Sequence, residues 1–223
     1  MVLGIYGSGG LGCEILDLVK VINALENKWE KIFFINDFKE EPIVNSTEVF
    51  TFEEFKVKFS ADIAKMVIAV GEPKVRQILR EKAMKDGYGL QSLIHPNAFV
   101  GSETQIGDGT IIQYGCWVSC NTKIGANVLM QPISGMGHDN VIGSDTVISG
   151  FVATSGNCVI GEQVYIGLST PVKENVSIGA GSIVGMGSVV SRDIPNNVIA
   201  LGNPARAMKI NEHERVFKQV DKF

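Results

Sequence analysis

Three histidines stand in the chain: His95, His138 and His213. His138 lies in Met136-Gly137-His138-Asp139, a base beside an acid in a glycine turn. Acyl transfer to an amine or hydroxyl needs a base that is partly neutral near pH 7, and histidine is the side chain that qualifies. His95 precedes Pro96, which biases it toward an extended turn, and it reads as structural. Cys13, Cys116, Cys120 and Cys158 show no C-x-x-C spacing and read as reduced, packed thiols. Near the N-terminus, Gly7-Ser8-Gly9-Gly10-Leu11-Gly12 matches GxGxxG, the turn that brings backbone N–H groups up to a phosphate.

The elements that must position His138 are legible in steps of six. From Ile94, every sixth residue through Val190 is apolar except Thr154. Position three after this anchor reads Gly109, Gly115, Asn121, Asn127, Asp139, Asp145, Asn157, Asn175, Gly181, Gly187 and Asp193, with Glu103, Ile133, Phe151, Gln163 and Ser169 as exceptions. Gly, Asn and Asp tolerate positive φ, so a corner is predicted in each hexad. The pattern predicts a triangular solenoid of short parallel strands over 94–210, one hexad per side. Residues 18 apart then stack, placing His138 between Cys120 and Gly156. Gly156 leaves room beside the imidazole and offers an N–H for the oxyanion of a tetrahedral intermediate. Asp139 has two readings, an orienter of His138 or merely a corner residue. A zinc site needs three ligands together, and one histidine in the central coils argues against metal.

Residues 1–93 read as a separate α/β module. The apolar run Val2–Tyr6 enters the glycine turn, and Ile15, Leu18, Val19, Ile22 and Leu25 mark one face of a helix. A second strand, Lys31–Ile35, ends in Asn36-Asp37, an acid placed near a ribose in Rossmann-like βαβ units. Thr51 with Glu54 is a capping box for a short helix. Lys65–Val70 is predicted as a third strand stopping at Gly71, Lys74–Lys85 as a helix, and Gln91–Ile94 as the module's last strand. The module is long enough for one mononucleotide half, so a nucleotide-linked substrate fits better than NAD.

After the hexads come Leu201-Gly-Asn203-Pro204-Ala-Arg206 and Lys209, a basic pair suited to phosphates. Asn211 with Glu214, followed by Val216, Phe217, Val220 and Phe223, predicts a terminal helix over 211–223. A net charge of −4 and a pI near 5.5 argue against nucleic acid. The N-terminus carries neither a basic start nor a long apolar run, and the chain has no 18-residue apolar stretch. The expectation is a cytoplasmic protein that does not enter the membrane.

The hexads resemble those of the left-handed parallel β-helix acyltransferases. The GxGxxG module, the hexads, Gly-His-Asp and Gly-Asn-Pro-Ala, in that order, resemble a narrower group: the bacterial nucleotide-sugar N-acetyltransferases of the pgl, per and neu type. The resemblance implies an acetyl-CoA-dependent transfer to the 4-amino group of a UDP- or dTDP-linked 4-amino-4,6-dideoxy sugar for surface glycan synthesis. It also implies a homotrimer with active sites between subunits. Carried onto this chain, the nucleotide-sugar contacts fall on Gly9, Gly10, Leu11, Asn36, Asp37 and Gly71, and the general base on His138. The coenzyme contacts fall on Gly167, Gly185, Asn203, Pro204, Arg206 and Lys209. Two positions depart from the group: some members have histidine where this chain has Val147, and asparagine where it has Gln131. A sialic acid O-acetyltransferase would need the same base, and an inactive subunit that only binds a nucleotide sugar would share the fold.

Overall fold

The computed structural model describes residues 1–38 and 40–217. The small module is a six-stranded sheet ordered β3-β4-β2-β1-β5-β6. Its elements are β1 (Val2–Tyr6), α1 (Gly10–Glu26), β2 (Lys31–Ile35), β3 (Ile43–Val44), β4 (Thr47–Phe50), α2 (Phe52–Lys58), β5 (Ala64–Ile68), α3 (Pro73–Lys85) and β6 (Gly89–Leu90). Strands β1, β2, β4, β5 and β6 run parallel, so their carboxyl ends share one edge. The capping box forms as expected, with Thr51 accepting from the Glu54 N–H and Glu54 accepting from the Thr51 N–H. The β3–β4 hairpin has no counterpart in the sequence reading, and Leu25 is 70% exposed rather than part of the buried face of α1. Leu25 lies in the last turn of that helix, which Asn27 ends in the left-handed conformation.

Residues 93 to 190 build the prism. One face stacks Leu93–Ile94, Ile111–Ile112, Leu129–Met130, Val147–Ile148, Tyr165–Ile166 and Ile183–Val184. A second face runs from Phe99–Val100 through Gly135–Met136 to Pro171–Val172, and a third from Gln105–Ile106 through Val141–Ile142 to Ser177–Ile178. Each strand pairs in parallel with the residues 18 positions away, as Trp117 does with Gly135 and Val118 with Met136. The anchors from Ile112 onward fill the interior as one apolar cluster. Thr154, the break in the series, is satisfied there: its Oγ1 accepts from Asn140 Nδ2 at 2.6 Å, while Asn140 Oδ1 accepts the Cys158 N–H. Corner residues have positive φ whether or not their side chains favour it: Ile133 sits at 61° and Phe151 at 59° beside Asn121 at 58°. The stacked backbone ladder therefore imposes the corner on ill-suited residues. Asp193 is not among the left-handed residues, because the last coil is irregular.

Two boundaries differ from expectation. Leu93–Ile94 pairs with Ile111–Ile112 and so belongs to the prism; the last strand of the small sheet is β6. The prism ends in an antiparallel hairpin, Val198–Leu201 with Arg206–Ile210, added to its first face. Residues 211–217 form turns instead of the predicted helix, and Val220 and Phe223 lie outside the described residues. The turns are held by the small module: Glu72 accepts the N–H groups of Val216 and Phe217, and Phe217 packs edge-on against Tyr165.

The module sits on the first face of the prism. Ile15, Leu18, Val19 and Ile22 of α1 share one buried cluster with the outward residues Leu93, Ile111, Leu129 and Val147. Most strand residues on that face are apolar on both sides because both sides are covered. Among the described residues no helix is long and apolar enough to cross a membrane.

Candidate active site

Three places hold the residues that the sequence singled out. The first is the corner after the second face of the prism. His138 Nδ1 lies 2.6 Å from Asp139 Oδ2, and Asp139 Oδ1 accepts from Asn121 Nδ2 at 3.0 Å. The hydrogen bond with His138, then that from Asn121, holds the Asp139 carboxyl below the usual carboxylate range. Asp139 also occupies its corner, at φ 58°, so its contact with His138 and its corner conformation coexist. A carboxylate on Nδ1 selects the tautomer with Nε2 unprotonated, so the free nitrogen is the one that can accept a proton. The imidazole lies flat over Gly156: a Cβ there would be 2.6 Å from both Cε1 and Nε2. Asn121 was missed in the sequence, yet it stands 18 residues before Asp139, and the stacking rule alone would have found it.

The second place is a cleft of about 320 Å³ at the carboxyl edge of the small sheet. Gly9, Gly10, Leu11, Asn36, Asp37 and Gly71 all line it, together with Tyr6, Ser8 and Phe38. Gly7 has φ +121°, and a Cβ there would meet the Ala69 carbonyl oxygen at 2.6 Å; one on Gly12 would strike the Gly7 carbonyl oxygen. These two positions let α1 start against the sheet. Gly9 caps α1 without a side-chain bond, and open space lies beside Gly9 and Gly10. An anion in the cleft would meet the positive end of the helix dipole and free N–H groups there.

The acid after β2 is less free than the motif suggests. Asp37 Oδ2 accepts from Tyr6 Oη at 2.6 Å and from Lys82 Nζ, and Oδ1 accepts the Phe52 N–H at 2.8 Å. Burial raises its pKa, but these bonds from Lys82, Tyr6 and Phe52 outweigh burial and hold it below the usual range. Asn36 donates to Ser8 Oγ and accepts the Phe38 N–H. Both side chains thus brace the cleft wall.

The third place is the end of the prism. Gly167 and Gly185 stack at the corner after the first face, with Leu201 filling the space beside Gly185. Asn203–Pro204, a cis peptide, forms the hairpin turn, and Arg206 and Lys209 are exposed on its second strand. The six coenzyme candidates therefore lie along one end of the prism. They do not share an edge with His138, which is on the corner between the second and third faces, and the cleft is lined by small-module residues alone. Cys116 and Cys158 are buried thiols whose pKa values burial raises. No group of His, Cys, Asp and Glu side chains that could hold a metal occurs among the described residues.

Comparison with known proteins adds relatives to this geometry. Residues 2–83 match the model of the PglD N-terminal domain. The GDP-perosamine N-acetyltransferase of Escherichia coli O157:H7 is 32% identical over 125 residues, 55% of each chain, so the chain spans about half the length of this curated relative. WeeI from Acinetobacter baumannii AYE is 31% identical, with a TM-score of 0.87 over 93% of this chain and 100% of its own. An asparagine-for-histidine mutant of perosamine N-acetyltransferase from Caulobacter crescentus, solved with CoA and GDP-perosamine, is 25% identical, with a TM-score of 0.84 over 93% of this chain and 96% of its own. These matches make the prism a left-handed parallel β-helix.

Proposed function

Because the chain belongs to the nucleotide-sugar N-acetyltransferases of the hexapeptide-repeat superfamily, we propose that it moves an acetyl group from acetyl-CoA to the 4-amino group of a nucleotide-linked 4-amino-4,6-dideoxy sugar. The observation that carries this reading is the His138 constellation: Nδ1 tied to Asp139, the ring laid on Gly156, and Nε2 left to accept a proton. In this reading the neutral amine attacks the thioester carbonyl carbon while His138 Nε2 takes the amine proton. The Gly156 N–H donates to the oxyanion, and the intermediate collapses to the amide as coenzyme A leaves as thiolate and takes up a proton. The acetyl group goes over in one direct step, without an acyl-enzyme.

The cleft holds the nucleotide, with its phosphates at the start of α1. Arg206 and Lys209 are available to the coenzyme's phosphates. One chain separates the cleft, His138 and the Gly167–Gly185 edge from one another, which favours a homotrimer whose sites are completed between neighbours. The cleft favours no carrier by a free charged side chain. UDP, dTDP and GDP carriers are therefore to be tested side by side, GDP because one relative is named for GDP-perosamine and another was solved with it bound. A product of this kind serves surface glycan synthesis.

The test is release of free thiol from acetyl-CoA with UDP-, dTDP- and GDP-linked 4-amino-4,6-dideoxyhexoses and with free sialic acid. His138→Asn should lower kcat by roughly 10² to 10⁴ with little change in acceptor binding. Turnover of sialic acid alone would move the reading to O-acetylation. No turnover of any acceptor, with nucleotide sugar still bound, would favour a binding subunit.

A further inference from the structure

The coil that carries His138 is gripped at both ends by one helix of the small module. Following the chain, this coil starts at the Asn127 corner, passes His138 and closes at the Asp145 corner directly above. Arg76 of α3 is fully buried. Its Nε and Nη2 donate to the Asn127 carbonyl oxygen at 2.9 and 2.6 Å, and Nη2 also reaches Asn127 Oδ1 at 2.8 Å. Its Nη1 turns the other way, to the carbonyl oxygens of Ile68 and Val70 at 2.8 and 2.9 Å. Val70 itself lines the nucleotide cleft, next to Gly71. One turn along α3, Arg80 makes a two-pronged pair with Asp145 at 2.9 and 2.8 Å. Asn127 Nδ2 closes the network onto Asp145 Oδ1 and the Arg76 carbonyl oxygen.

Only this coil of that edge offers such a pair. The corresponding corners in other coils are Gly109, Gln163 and Gly181: none of them supplies a carboxylate for a second guanidinium, and the two glycines supply no side-chain acceptor at all. The stacked coils are otherwise nearly equivalent, and a slip by one would displace the module by about 4.8 Å. We infer that Arg76 and Arg80 are positioning residues that index the nucleotide cleft to the height of the coil carrying His138. The inference rests on the proposed acetyl transfer. It holds whichever subunit supplies the base, because threefold copies about an axis parallel to the prism keep one height. Arg76 acts through the cleft wall and touches neither substrate nor base.

The experiment compares the full-length wild type with Arg76→Met and Arg80→Gln. It reads steady-state kinetics at low temperature, titrations with UDP, dTDP and GDP, and hydrogen exchange of the linker amides. Those of Gln91 and Leu93 bond to Met66 in the module and to Thr110 in the prism, respectively. A misplacement near 1 Å is worth about 10² in rate. Arg76→Met should therefore lower kcat about 10- to 100-fold and Arg80→Gln about 3- to 10-fold. Nucleotide Kd and the KM for acetyl-CoA should stay within about twofold, while exchange at Gln91 and Leu93 rises. Folded variants with wild-type kcat would overturn the inference, whatever their Tm. So would a loss of nucleotide affinity as large as the loss of kcat, since Arg76 would then shape the cleft itself. If Arg76→Met does not fold, Arg80→Gln decides alone. If the wild type turns over no acceptor, the proposed activity fails instead, and unchanged linker exchange in the variants would still refute the indexing.

Discussion

Replacing Gly156 by alanine puts a methyl group where the His138 ring now lies. The added Cβ would sit 2.6 Å from Cε1 and Nε2 and 3.0 Å from Nδ1. Carbon contacts relax to about 3.5 Å or more, so the ring must move by about 1 Å. The backbone of Gly156 is outside the left-handed region, so alanine fits it, and the ring that must give way is the half-exposed end of a side chain. The change should therefore cost little stability, within about 0.5 kcal/mol. It breaks the 2.6 Å bond from Nδ1 to Asp139 and takes Nε2 off its line. A misplacement of that size is worth about 10² in kcat, roughly 2.7 kcal/mol of barrier. The assay is thiol release at saturating acetyl-CoA, with the melting temperature measured beside it. The double variant with His138→Asn separates two causes. If Gly156→Ala acts through the imidazole, it should cost almost nothing further once the imidazole is gone. A kcat within threefold of wild type for Gly156→Ala would refute the reasoning. An equal loss in the His138→Asn background would assign the effect to the Gly156 amide instead.

Asp139→Asn separates orientation from corner, because Asn121, Asn157 and Asn175 occupy equivalent corners at φ 57–60°. The variant should melt like the wild type and lose about tenfold or more in kcat; unchanged kcat would leave Asp139 a corner residue only. Glu72 tests the tie between the module and residues 216 and 217. Burial raises its pKa, against the lowering by the Val216 and Phe217 N–H groups and by Arg215. A raised folded pKa means a contribution present below the ordinary carboxyl pKa and lost as pH rises through the folded value. The melting temperature of Glu72→Gln relative to wild type should therefore be more favourable at pH 7 than at pH 4. A difference independent of pH would show that Glu72 does not titrate within that window.

The hexad period, the corner residues and the GxGxxG turn are local statements about which φ a residue tolerates and which side it buries. They suffice for the prism, for the small module and for the stacking of His138 on Gly156. Gly9, Asp37 and Gly71 were legible for the same reason, since each follows the end of a parallel strand, whereas Gly10, Leu11 and Asn36 were named through the family resemblance. Other features depend on residues far apart in the chain. Nothing near Asp37 announces that Tyr6, Lys82 and the Phe52 N–H consume its oxygens, because these partners meet only when β1, β2, α2 and α3 pack. The predicted terminal helix gave way to turns at 211–217 because Glu72, some 144 positions earlier, supplies acceptors for N–H groups that a helix would have used internally. The choice of the coil that the module grips is likewise tertiary. Arg76 and Arg80 read as ordinary helix cations until the fold sets them against Asn127 and Asp145. A repeat makes its coils alike in local preference, so only long-range contacts can distinguish one coil from the next.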